Sequence, residues 1–545
     1  MTASERWTGL ALSLLVLIVW FAVLAERPLF EPDEGRYAEI PREMLASGEF
    51  LVPHLDGLVY LEKPPLQYWA TALSLKILGR TELAARLYTT LCALGTLGAV
   101  ALIAVRIFGA AAAVRATAVL ASMLLFVILG QLLTLDMSLT CCLTWSLAGF
   151  LRAQHAPPAA ARRWMLLAWA AAALGVLTKG IEAAAIPAAV LVLHTLITRD
   201  TRPWRRLEAP AGLALFVLIA VPWFWLVAHR VPDFLEFFFV HEHVSRYLTP
   251  SADRQEPVWF FALVFLWGTL PWTLPAVRVV FMGAARTRSG SPPAEFDARR
   301  FLWLWVLFVA VFFSFSDSKL IPYLLPALPP LALLIGALPE ERLRTDLTRT
   351  ALLMLGAAVL CALLGLFGPS HLAPSERNAC FAALGPALLR IAPLLGVTAL
   401  YALTQRRRGP LRAALFLAAG WCLAALWLGQ AASAVAPIYS GIGIVRALPS
   451  VPPGVPVYSV ATYDQTLPFY WNRTVALVQY RGELDYGLKR DPGAMMALAE
   501  FEIRWQAAPS AYAVMDRGTF ESLGLQGLPM RELTHTVRRV LVARR

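Results

Sequence analysis

Thirteen long apolar runs follow one another through the first 430 residues, and this succession constrains the fold more than any other feature of the chain. A helix that crosses a membrane needs about 20 predominantly apolar residues, and only helices or closed barrels satisfy their own backbone hydrogen bonds inside a bilayer. Charged residues make up 15% of the 545 residues, against about 25% in soluble domains. The sequence therefore predicts an all-α polytopic membrane domain with about thirteen transmembrane helices. The runs span residues 7–25, 82–105, 112–133, 135–151, 164–178, 181–198, 209–229, 257–281, 301–316, 320–338, 350–368, 381–403 and 413–430.

Alternate connections between these runs are rich in arginine. Connections that carry excess Lys and Arg lie in the cytoplasm, so the N-terminus is expected inside and the chain after the thirteenth run outside. The formal net charge of +12 does not indicate a nucleic-acid partner, because the basic residues are spread between the runs rather than gathered in one stripe. The first run could instead be a cleaved signal peptide, but its length favours a retained helix. The six basic connections contain Arg106 and Arg115; Arg152, Arg162 and Arg163; Arg199, Arg202, Arg205 and Arg206; Arg286, Arg288, Arg299 and Arg300; Arg342, Arg344 and Arg349; and Arg406, Arg407, Arg408 and Arg412.

The chain changes character after about residue 437. Short runs typical of strands alternate with a helical stretch at 492–501, and none of them is long enough to cross a membrane as a helix. We predict two domains: a transmembrane domain at 1–436, which includes an outward loop at 26–81, and a soluble α/β domain at 437–545. The second domain is expected to be a cap or docking module rather than the catalytic centre. The predicted strands are 455–460, 474–479, 511–515 and 537–543.

The outward loop at 26–81 is much richer in charge than the apolar runs around it. Apolar residues recur at helical spacing in 36–46 and 66–78, which predicts two amphipathic helices lying at the membrane interface. Two interpretations compete for the charges: exposed ion pairs of a solvated loop, or basic groups that bind an anion at the outer surface. The charged residues of segments 31–43 and 62–63 of this loop are Glu31, Asp33, Glu34, Arg36, Glu39, Arg42, Glu43, Glu62 and Lys63.

Isolated ionisable residues recur at the outward ends of later apolar runs. A charge near the membrane centre costs at least about 2.5–3.5 kcal/mol, so its presence indicates function unless the residue caps a helix or reaches water. Asp136 stands in the apolar stretch "LLTLDMSL", which favours the functional interpretation, whereas for Asp317 the two interpretations are balanced. The other members of this set are Lys179, Glu182 and Lys319.

The motif "HEHVSRYL", residues 241–248, allows two kinds of site. His241 and His243 could hold a metal ion together with Glu62 of the first loop. Alternatively, Arg246 binds a phosphate group and the histidines donate hydrogen bonds.

The long motif "RPLFEPDEGRYAEIPREMLASGEFLVPHLDGLVYLEKPPLQYW", residues 27–69, closely resembles the first outward loop of the lipid A aminoarabinose transferases. These enzymes are GT-C glycosyltransferases related to the protein O-mannosyltransferases. The resemblance implies a membrane enzyme that moves 4-amino-4-deoxy-L-arabinose from undecaprenyl phosphate to lipid A phosphate groups. It places that reaction at the periplasmic face of a bacterial inner membrane, as a lipopolysaccharide modification that confers resistance to cationic peptides and polymyxin.

Two alternatives remain open beside this one. The first is a related GT-C transferase that moves another polyprenyl-phosphate-linked sugar to a hydroxyl of a lipid, glycan or protein. The second is a lipid-carrier transporter or scaffold, although a transporter would show pseudo-repeated halves and the sequence shows no such repeat.

The expected mechanism rests on cations placed where negative charge develops on the departing carrier phosphate. Lys63 and Arg246 are the leading candidates, with Arg36 and Lys179 in reserve, and Tyr37, Tyr60 and Tyr323 could add hydrogen bonds to the donor. The resemblance makes Asp33 the central carboxylate, and Asp136 and Glu62 are further catalytic candidates. We expect the enzyme to act as a monomer among membrane lipids without a required cofactor; a divalent metal held by His241, His243 and Glu62 is the alternative.

Overall fold

The predicted fold class is confirmed: a bundle of membrane helices carries a small α/β domain at its C-terminal end. The computed structural model describes residues 3–245, 256–286, 296–368, 375–407 and 409–544. Helices of the membrane domain are α1 Ala3–Glu26, α2 Asp33–Ser47, α3 Leu66–Leu78, α4 Glu82–Ile107, α5 Ala110–Ser122, α6 Leu124–Gln131, α7 Leu135–Gln154, α8 Pro158–Thr178, α9 Glu182–Thr198, α10 Arg202–Arg205, α11 Ala209–Arg230, α12 Phe260–Gly268, α13 Thr273–Arg286, α14 Ala298–Ser314, α15 Leu328–Gly336, α16 Glu340–Phe367, α17 Glu376–Ala382, α18 Gly385–Gln405 and α19 Pro410–Ala431. A π-helix covers Glu236–Ser245, and a short hairpin pairs β1 His54–Leu55 with β2 Leu58–Val59.

All thirteen apolar runs contain helix, but they differ in length and apolarity. Within the described residues, seven helices are long and apolar enough to cross a membrane by themselves, or eight if α5 and α6, bent by 64°, count as one crossing. The other runs form helices that are shorter, interrupted or less apolar. Run 257–281, for example, is divided between α12 and α13. The chain is thus a multi-pass membrane protein, and the count of thirteen spans stays a prediction.

The basic connections lie close to one another at one end of the bundle. Arg206 donates to the carbonyl of Ala153 at 2.9 Å, which joins two of these connections. Arg115 donates to the carbonyl of Gly336 at 2.9 Å, which places a third connection beside the start of a fourth. Since α4 has 26 residues and rises about 1.5 Å per residue, it is about 39 Å long. Its N-terminal end, next to the loop at 26–81, is therefore a full membrane thickness away from the basic end.

The two helices predicted in the first loop are present, but α2 does not lie exposed at the interface. Every residue from Glu34 to Met44 is buried. α2 packs against α3 on one side and against the C-terminal domain on the other. A Cβ atom placed on Gly35 would come within 2.6 Å of the carbonyl carbon of Gln465, so the two backbones touch. The reason for the error is that the charged face of α2 is covered by protein instead of water.

The C-terminal domain is a six-stranded sheet with helices around it. Strand order is β5-β4-β3-β6-β8-β7; β5, β4, β3 and β6 run parallel, β8 is antiparallel to β6, and the edge strand β7 is antiparallel to β8. The four predicted strands correspond to β3, β4, β6 and β8. The sequence did not predict β7, in which charged Arg531 and Glu532 interrupt the apolar pattern, or the two-residue β5. The elements are α20 Ala436–Tyr439, α21 Ile442–Ala447, β3 Val457–Val460, α22 Thr466–Trp471, β4 Ala476–Val478, α23 Asp485–Arg490, β5 Met495–Met496, α24 Leu498–Ala507, β6 Tyr512–Met515, α25 Arg517–Leu525, β7 Met530–His535 and β8 Val540–Arg544.

The C-terminal domain is docked on the first loop through backbone contacts as well as side chains. The carboxylate of Asp56, at the β1–β2 turn, accepts a hydrogen bond from the backbone N–H of Val475 at 2.8 Å. A Cβ atom on Gly487 of α23 would come within 2.8 Å of the carbonyl oxygen of Val59. Such close approach fixes the position of the domain over the first loop.

Candidate active site

The charges of α2 fall into structural pairs and a smaller group around Arg36, where α2 meets the C-terminal domain; this group is called the Arg36 cleft below. Glu34 belongs to the structural set: its carboxylate accepts from Arg27 at 2.7 and 2.9 Å and from Arg86 at 2.7 and 3.0 Å. It also accepts from the backbone N–H groups of Phe30 at 3.0 Å and Leu133 at 3.1 Å. Burial by itself would raise the pKa of Glu34, but the two guanidinium groups hold it well below the ordinary value. This carboxylate ties the loop to α4 and to the start of α7.

A second structural set lies one helical turn further along α2. Arg42 donates to both oxygens of Glu39 at 2.6 Å. Glu43 accepts from the backbone N–H groups of Asp56 at 2.6 Å and Gly57 at 2.9 Å, which holds the β1–β2 turn. The interpretation of the loop charges as ion pairs is thus right for these residues, although the pairs are buried rather than solvated.

Asp33 stands apart from those pairs. Its side chain is 51% exposed and lies 3.6 Å from the guanidinium of Arg36. Asp33 is not the N-cap of its helix, because α2 begins at Asp33 and Pro32 occupies the cap position without a side-chain cap hydrogen bond. The carboxylate is therefore available to a ligand at the mouth of the cleft.

Arg36 is the cation at the centre of this cleft. It donates to the hydroxyl of Tyr60 at 3.2 Å and forms a 2.6 Å ion pair with Glu483 of the C-terminal domain. Its Nε atom is buried without a hydrogen-bond partner. A buried donor of this kind costs free energy unless a ligand or water completes it, so the geometry leaves one position for an acceptor atom.

Three buried tyrosines, Tyr37, Tyr60 and Tyr68, line the same region. The rings of Tyr37 and Tyr68 are 6.1 Å apart, and the guanidinium of Arg36 lies 5.5 Å from the ring centre of Tyr37 and 5.9 Å from that of Tyr60. Burial raises the pKa of all three hydroxyls, and Glu62 raises each further. They stay protonated as hydrogen-bond donors, and the hydroxyl of Tyr68 is buried without a partner.

Lys63 follows directly after these tyrosines and Glu62 in the chain. Its Nζ lies 3.3 Å from a carboxylate oxygen of Glu242 in the π-helix, and His241 Nδ1 lies 3.4 Å from the other oxygen. In the part of the chain that the structure describes, no three His, Cys, Asp or Glu side chains form a group that could hold a metal ion. The proposed ligand His243 has its side chain outside the described atoms, and Arg246 lies outside the described residues.

The structure places three residues that were proposed separately from the sequence in contact: Asp136, Lys179 and Tyr323. Lys179 Nζ lies 2.5 Å from the Asp136 carboxylate and 4.6 Å from the ring centre of Tyr323. In contrast, Asp317 is exposed and Lys319 donates to the carbonyl of Ser316 at 2.6 Å, which is a local contact.

The Asp136 group lies beside the tyrosine cleft. Ser138, half a turn after Asp136 on α7, hydrogen-bonds at 2.5 Å to Gln67, the neighbour of Tyr68 on α3. Leu133 and Leu135 pack in one apolar cluster with Tyr37, Tyr60 and Tyr68. The structure thus gathers most of the predicted side chains at one end of the bundle, under the C-terminal domain.

Sequence reasoning missed the contribution of the C-terminal domain. Glu483 closes the cleft over Arg36, and Gln465 holds it by donating at 2.6 Å to its other oxygen. Burial raises the pKa of Glu483, while the charge of Arg36 lowers it. The domain is a wall of the site as well as a cap. No local signal marks Glu483, because its role depends on a contact 447 positions away from its partner.

Comparison with known proteins agrees with the sequence resemblance. Residues 444–544 match a family model described as the aminoarabinose transferase C-terminal domain, and residues 62–225 match one described as dolichyl-phosphate-mannose-protein mannosyltransferase. Two proteins named undecaprenyl phosphate-alpha-4-amino-4-deoxy-L-arabinose arabinosyl transferase are similar along most of their length. The one from Aeromonas salmonicida is 31% identical over 82% of this chain and 77% of its own. The one from Aeromonas hydrophila is 32% identical over 81% of this chain and 77% of its own.

A solved structure shares the whole architecture. The crystal structure of ArnT from Cupriavidus metallidurans bound to undecaprenyl phosphate has a TM-score of 0.90 to this chain and is 33% identical. The superposition covers 99% of this chain and 98% of that one.

Proposed function

Because the chain belongs to the family of undecaprenyl phosphate-α-4-amino-4-deoxy-L-arabinose arabinosyl transferases, we propose that it transfers this aminosugar from undecaprenyl phosphate to a lipid A phosphate group. It is a membrane glycosyltransferase, and its reaction takes place in the cleft between α2, α7 and the C-terminal domain. The observation that carries the proposal is the Arg36 cleft. There an exposed Asp33 carboxylate and protonated tyrosines lie around a buried guanidinium with one unsatisfied N–H.

The charge balance of the reaction explains why cations surround this cleft. An acceptor phosphate oxygen attacks the anomeric carbon as the bond from that carbon to the carrier phosphate breaks. The acceptor loses one negative charge, and the departing undecaprenyl phosphate gains one. Lys63 and Lys179 lie in the region where that charge would develop, and fixed positive charge in such a place is usually the largest catalytic contribution.

The carboxylates have a different task under this proposal. A phosphate monoester has its second pKa near 6, so at pH 7 it is already a nucleophile and needs no strong base. Asp33 and Asp136 therefore orient the attacking group or bind the sugar, whose amino group is cationic. Asp136 also holds Lys179, since the two are 2.5 Å apart.

We also propose that the cleft faces the periplasm and that the basic end of the bundle faces the cytoplasm of a bacterial inner membrane. The arginine-rich connections, which lie together at the end opposite the cleft, support this orientation. A reporter fused after residue 545 tests it: activity of a periplasm-specific reporter agrees with the proposal, and activity of a cytoplasm-specific reporter contradicts it.

Mass spectrometry of lipid A tests the reaction itself. Cells that express the chain should yield lipid A with an added pentosamine on a phosphate, and cells without it should not. Addition of another sugar, or addition to a hydroxyl, would favour a related GT-C transferase instead.

The cationic side chains lead us to propose that no cofactor is required. Purified enzyme is expected to keep its transfer rate in EDTA. A loss that divalent metal restores would contradict this and would support a site at His241, His243 and Glu62.

A further inference from the structure

The turn between β7 and β8 presents two adjacent arginines, Arg538 and Arg539, that the reaction described above does not use. The backbone N–H of Thr536 donates to the carbonyl of Arg539 at 2.7 Å. The hydroxyl oxygen of Thr536 accepts from the N–H groups of Arg538 at 3.4 Å and Arg539 at 3.1 Å. The turn also lies against α21, because a Cβ atom on Gly443 would come within 3.1 Å of the Thr536 methyl group. The two guanidinium groups are therefore carried by a closed, supported turn.

Arg538 reaches the first loop beside the catalytic candidate Asp33. Its Nη1 donates at 3.0 Å to the carboxylate of Glu31, whose side chain is only 6% exposed. Consecutive Cα atoms are about 3.8 Å apart, so Glu31 lies within about 8 Å of Asp33. The contact lies near the ends of two apolar helices: α1 stops at Glu26, and the N–H of Glu31 donates to the carbonyl of Tyr439, shortly after α19.

Arg539, the next residue of the turn, also contributes to the electrostatics of this region. Burial raises the pKa of Tyr480; the charges of Glu483 and Glu31 raise it further, and those of Arg36 and Arg539 lower it. The positive charge of Arg539 therefore acts in the same direction on Tyr480 as that of Arg36. The Nε atom of Arg539 is buried without a hydrogen-bond partner, although Nη1 donates to the carbonyl of Arg538 at 3.3 Å.

A purely structural role accounts for only part of this arrangement. An ion pair that docks the C-terminal domain requires Arg538 and Glu31 alone. It leaves unexplained why the next residue is a second arginine whose Nε is buried without a hydrogen-bond partner. Guanidinium donors suit a phosphate, which accepts several charge-assisted hydrogen bonds, and this turn carries two arginines in succession.

The transfer reaction needs a second phosphate site. The carrier phosphate leaves toward Lys63 and Lys179, and in-line displacement brings the acceptor phosphate to the other face of the sugar. That approach passes the carboxylates Asp33 and Glu31, which repel a dianion unless cations offset them. We propose that Arg538 and Arg539 bind the phosphate group of the acceptor lipid; this inference rests on the proposed function.

The state of Glu31 is compatible with release of Arg538 to a ligand. Burial, together with the charge of Asp464, raises the pKa of Glu31 to about 7, and Arg538 and Arg539 act in the opposite direction. Near neutral pH the carboxyl is therefore partly protonated. An acceptor phosphate can then replace the Glu31 carboxylate as the partner of Arg538.

The test separates acceptor binding from donor binding in full-length enzyme reconstituted in nanodiscs. Initial rates are measured with undecaprenyl-phosphate-linked aminoarabinose and lipid A, each varied in turn, for wild type, Arg538→Ala and Arg539→Ala. We expect the acceptor KM to rise about tenfold or more in each variant, the loss of one charge-assisted hydrogen bond, with donor KM unchanged. Arg517→Ala is the matched control, because Arg517 forms a partly exposed pair with Glu532 at 3.3 Å on the same domain. It should behave as wild type.

The possible outcomes are distinct. A rise in donor KM would assign the two arginines to the carrier phosphate and overturn the inference, and so would an unchanged acceptor KM in both variants. If Arg539→Ala does not fold, Arg539→Lys decides the matter, since it keeps the charge but not the planar pair of donors. An acceptor KM equal to that of wild type would then refute the role of Arg539. Failure of the wild type to modify lipid A would instead contradict the proposed function.

Discussion

Asp33 and Glu34 are neighbours in sequence, and replacing each by its amide removes one negative charge from the first turn of α2. We predict opposite consequences for the two changes. Asp33→Asn should remove catalysis and leave the fold intact. Glu34→Gln should destabilise the fold itself.

For Glu34 the magnitude follows from its burial. The side chains of Glu34, Arg27 and Arg86 are 3%, 5% and 1% exposed, and the glutamate is the acidic partner of both arginines. Removing one partner of a buried ion pair typically costs about 3–5 kcal/mol, because a charge stays buried without compensation. Whole domains are stabilised by only about 5–15 kcal/mol, so Glu34→Gln is expected to give little folded protein or a much lower unfolding midpoint.

For Asp33 the same reasoning gives a small structural effect. The side chain is half exposed and its only described ion pair, with Arg36, is 3.6 Å long. Exposed pairs of this kind contribute about 0–1 kcal/mol. Loss of the carboxylate from the reaction should in contrast slow transfer by about a hundredfold or more, the scale of a lost acid–base group.

The assay measures both quantities on the same preparations: the unfolding midpoint in detergent, and the rate of pentosamine transfer to lipid A. Wild-type stability for Glu34→Gln would refute the argument that this network holds the loop. A near-wild-type rate for Asp33→Asn would remove Asp33 from the catalytic centre and make Asp136 the next candidate. Equal loss of stability in both variants would contradict the assignment of Glu34 to the structural pairs and of Asp33 to the candidate site.

Three further predictions concern other parts of the same assembly. Lys63→Ala should weaken binding of undecaprenyl phosphate, because a charge-assisted hydrogen bond contributes about 1.5–3 kcal/mol; unchanged binding by titration would make Lys63 only the structural partner of Glu242. Gly35→Ala should push α2 away from Gln465, since its Cβ would lie 2.6 Å from that backbone. Overpacking of this kind costs about 1–3 kcal/mol, visible as faster proteolytic release of the C-terminal domain, whereas wild-type resistance would contradict it. Burial raises the pKa of Asp56 from 3.8 to about 8, so the folded protein holds a proton that the unfolded chain releases above about pH 4. The stabilisation from this buried proton is thus full below that pH and is lost as the pH rises to about 8. Between pH 6 and 9 the unfolding midpoint should therefore fall less in Asp56→Asn than in wild type. Parallel curves for the two proteins would refute this.

Much of the fold could be predicted because its causes are local. Long apolar runs give helices in a membrane whatever their neighbours are, and the strands β3, β4, β6 and β8 are short apolar runs between turns. The count of membrane crossings was less predictable. Whether a run such as 257–281 stays one helix depends on breaks like that between α12 and α13.

The sequence predicted which residues belong to the candidate site, but not how these residues are arranged. The loop motif contains the right residues, yet sequence cannot separate Glu34 from Asp33, because the partners of Glu34 are at positions 27 and 86 and become neighbours only in the folded bundle. Burial of α2 was missed for the same reason. From the sequence alone the charged face of α2 is expected to be solvated, because the residues that cover it lie far away in the chain.

The position of α2 joins the candidate site to both domains. Glu34 fixes the helix to the membrane domain, and Gly35 brings it into backbone contact with the C-terminal domain. Asp33 and Arg36 are one helical turn apart on the same short helix, so any shift of the C-terminal domain moves Glu483 relative to Arg36. A carrier phosphate and an acceptor phosphate repel each other, and they can meet at one sugar only if cations on both sides hold them. Under the proposed function Lys179 of the membrane helices serves the first phosphate, and Arg538 and Arg539 of the C-terminal domain are the cations proposed for the second.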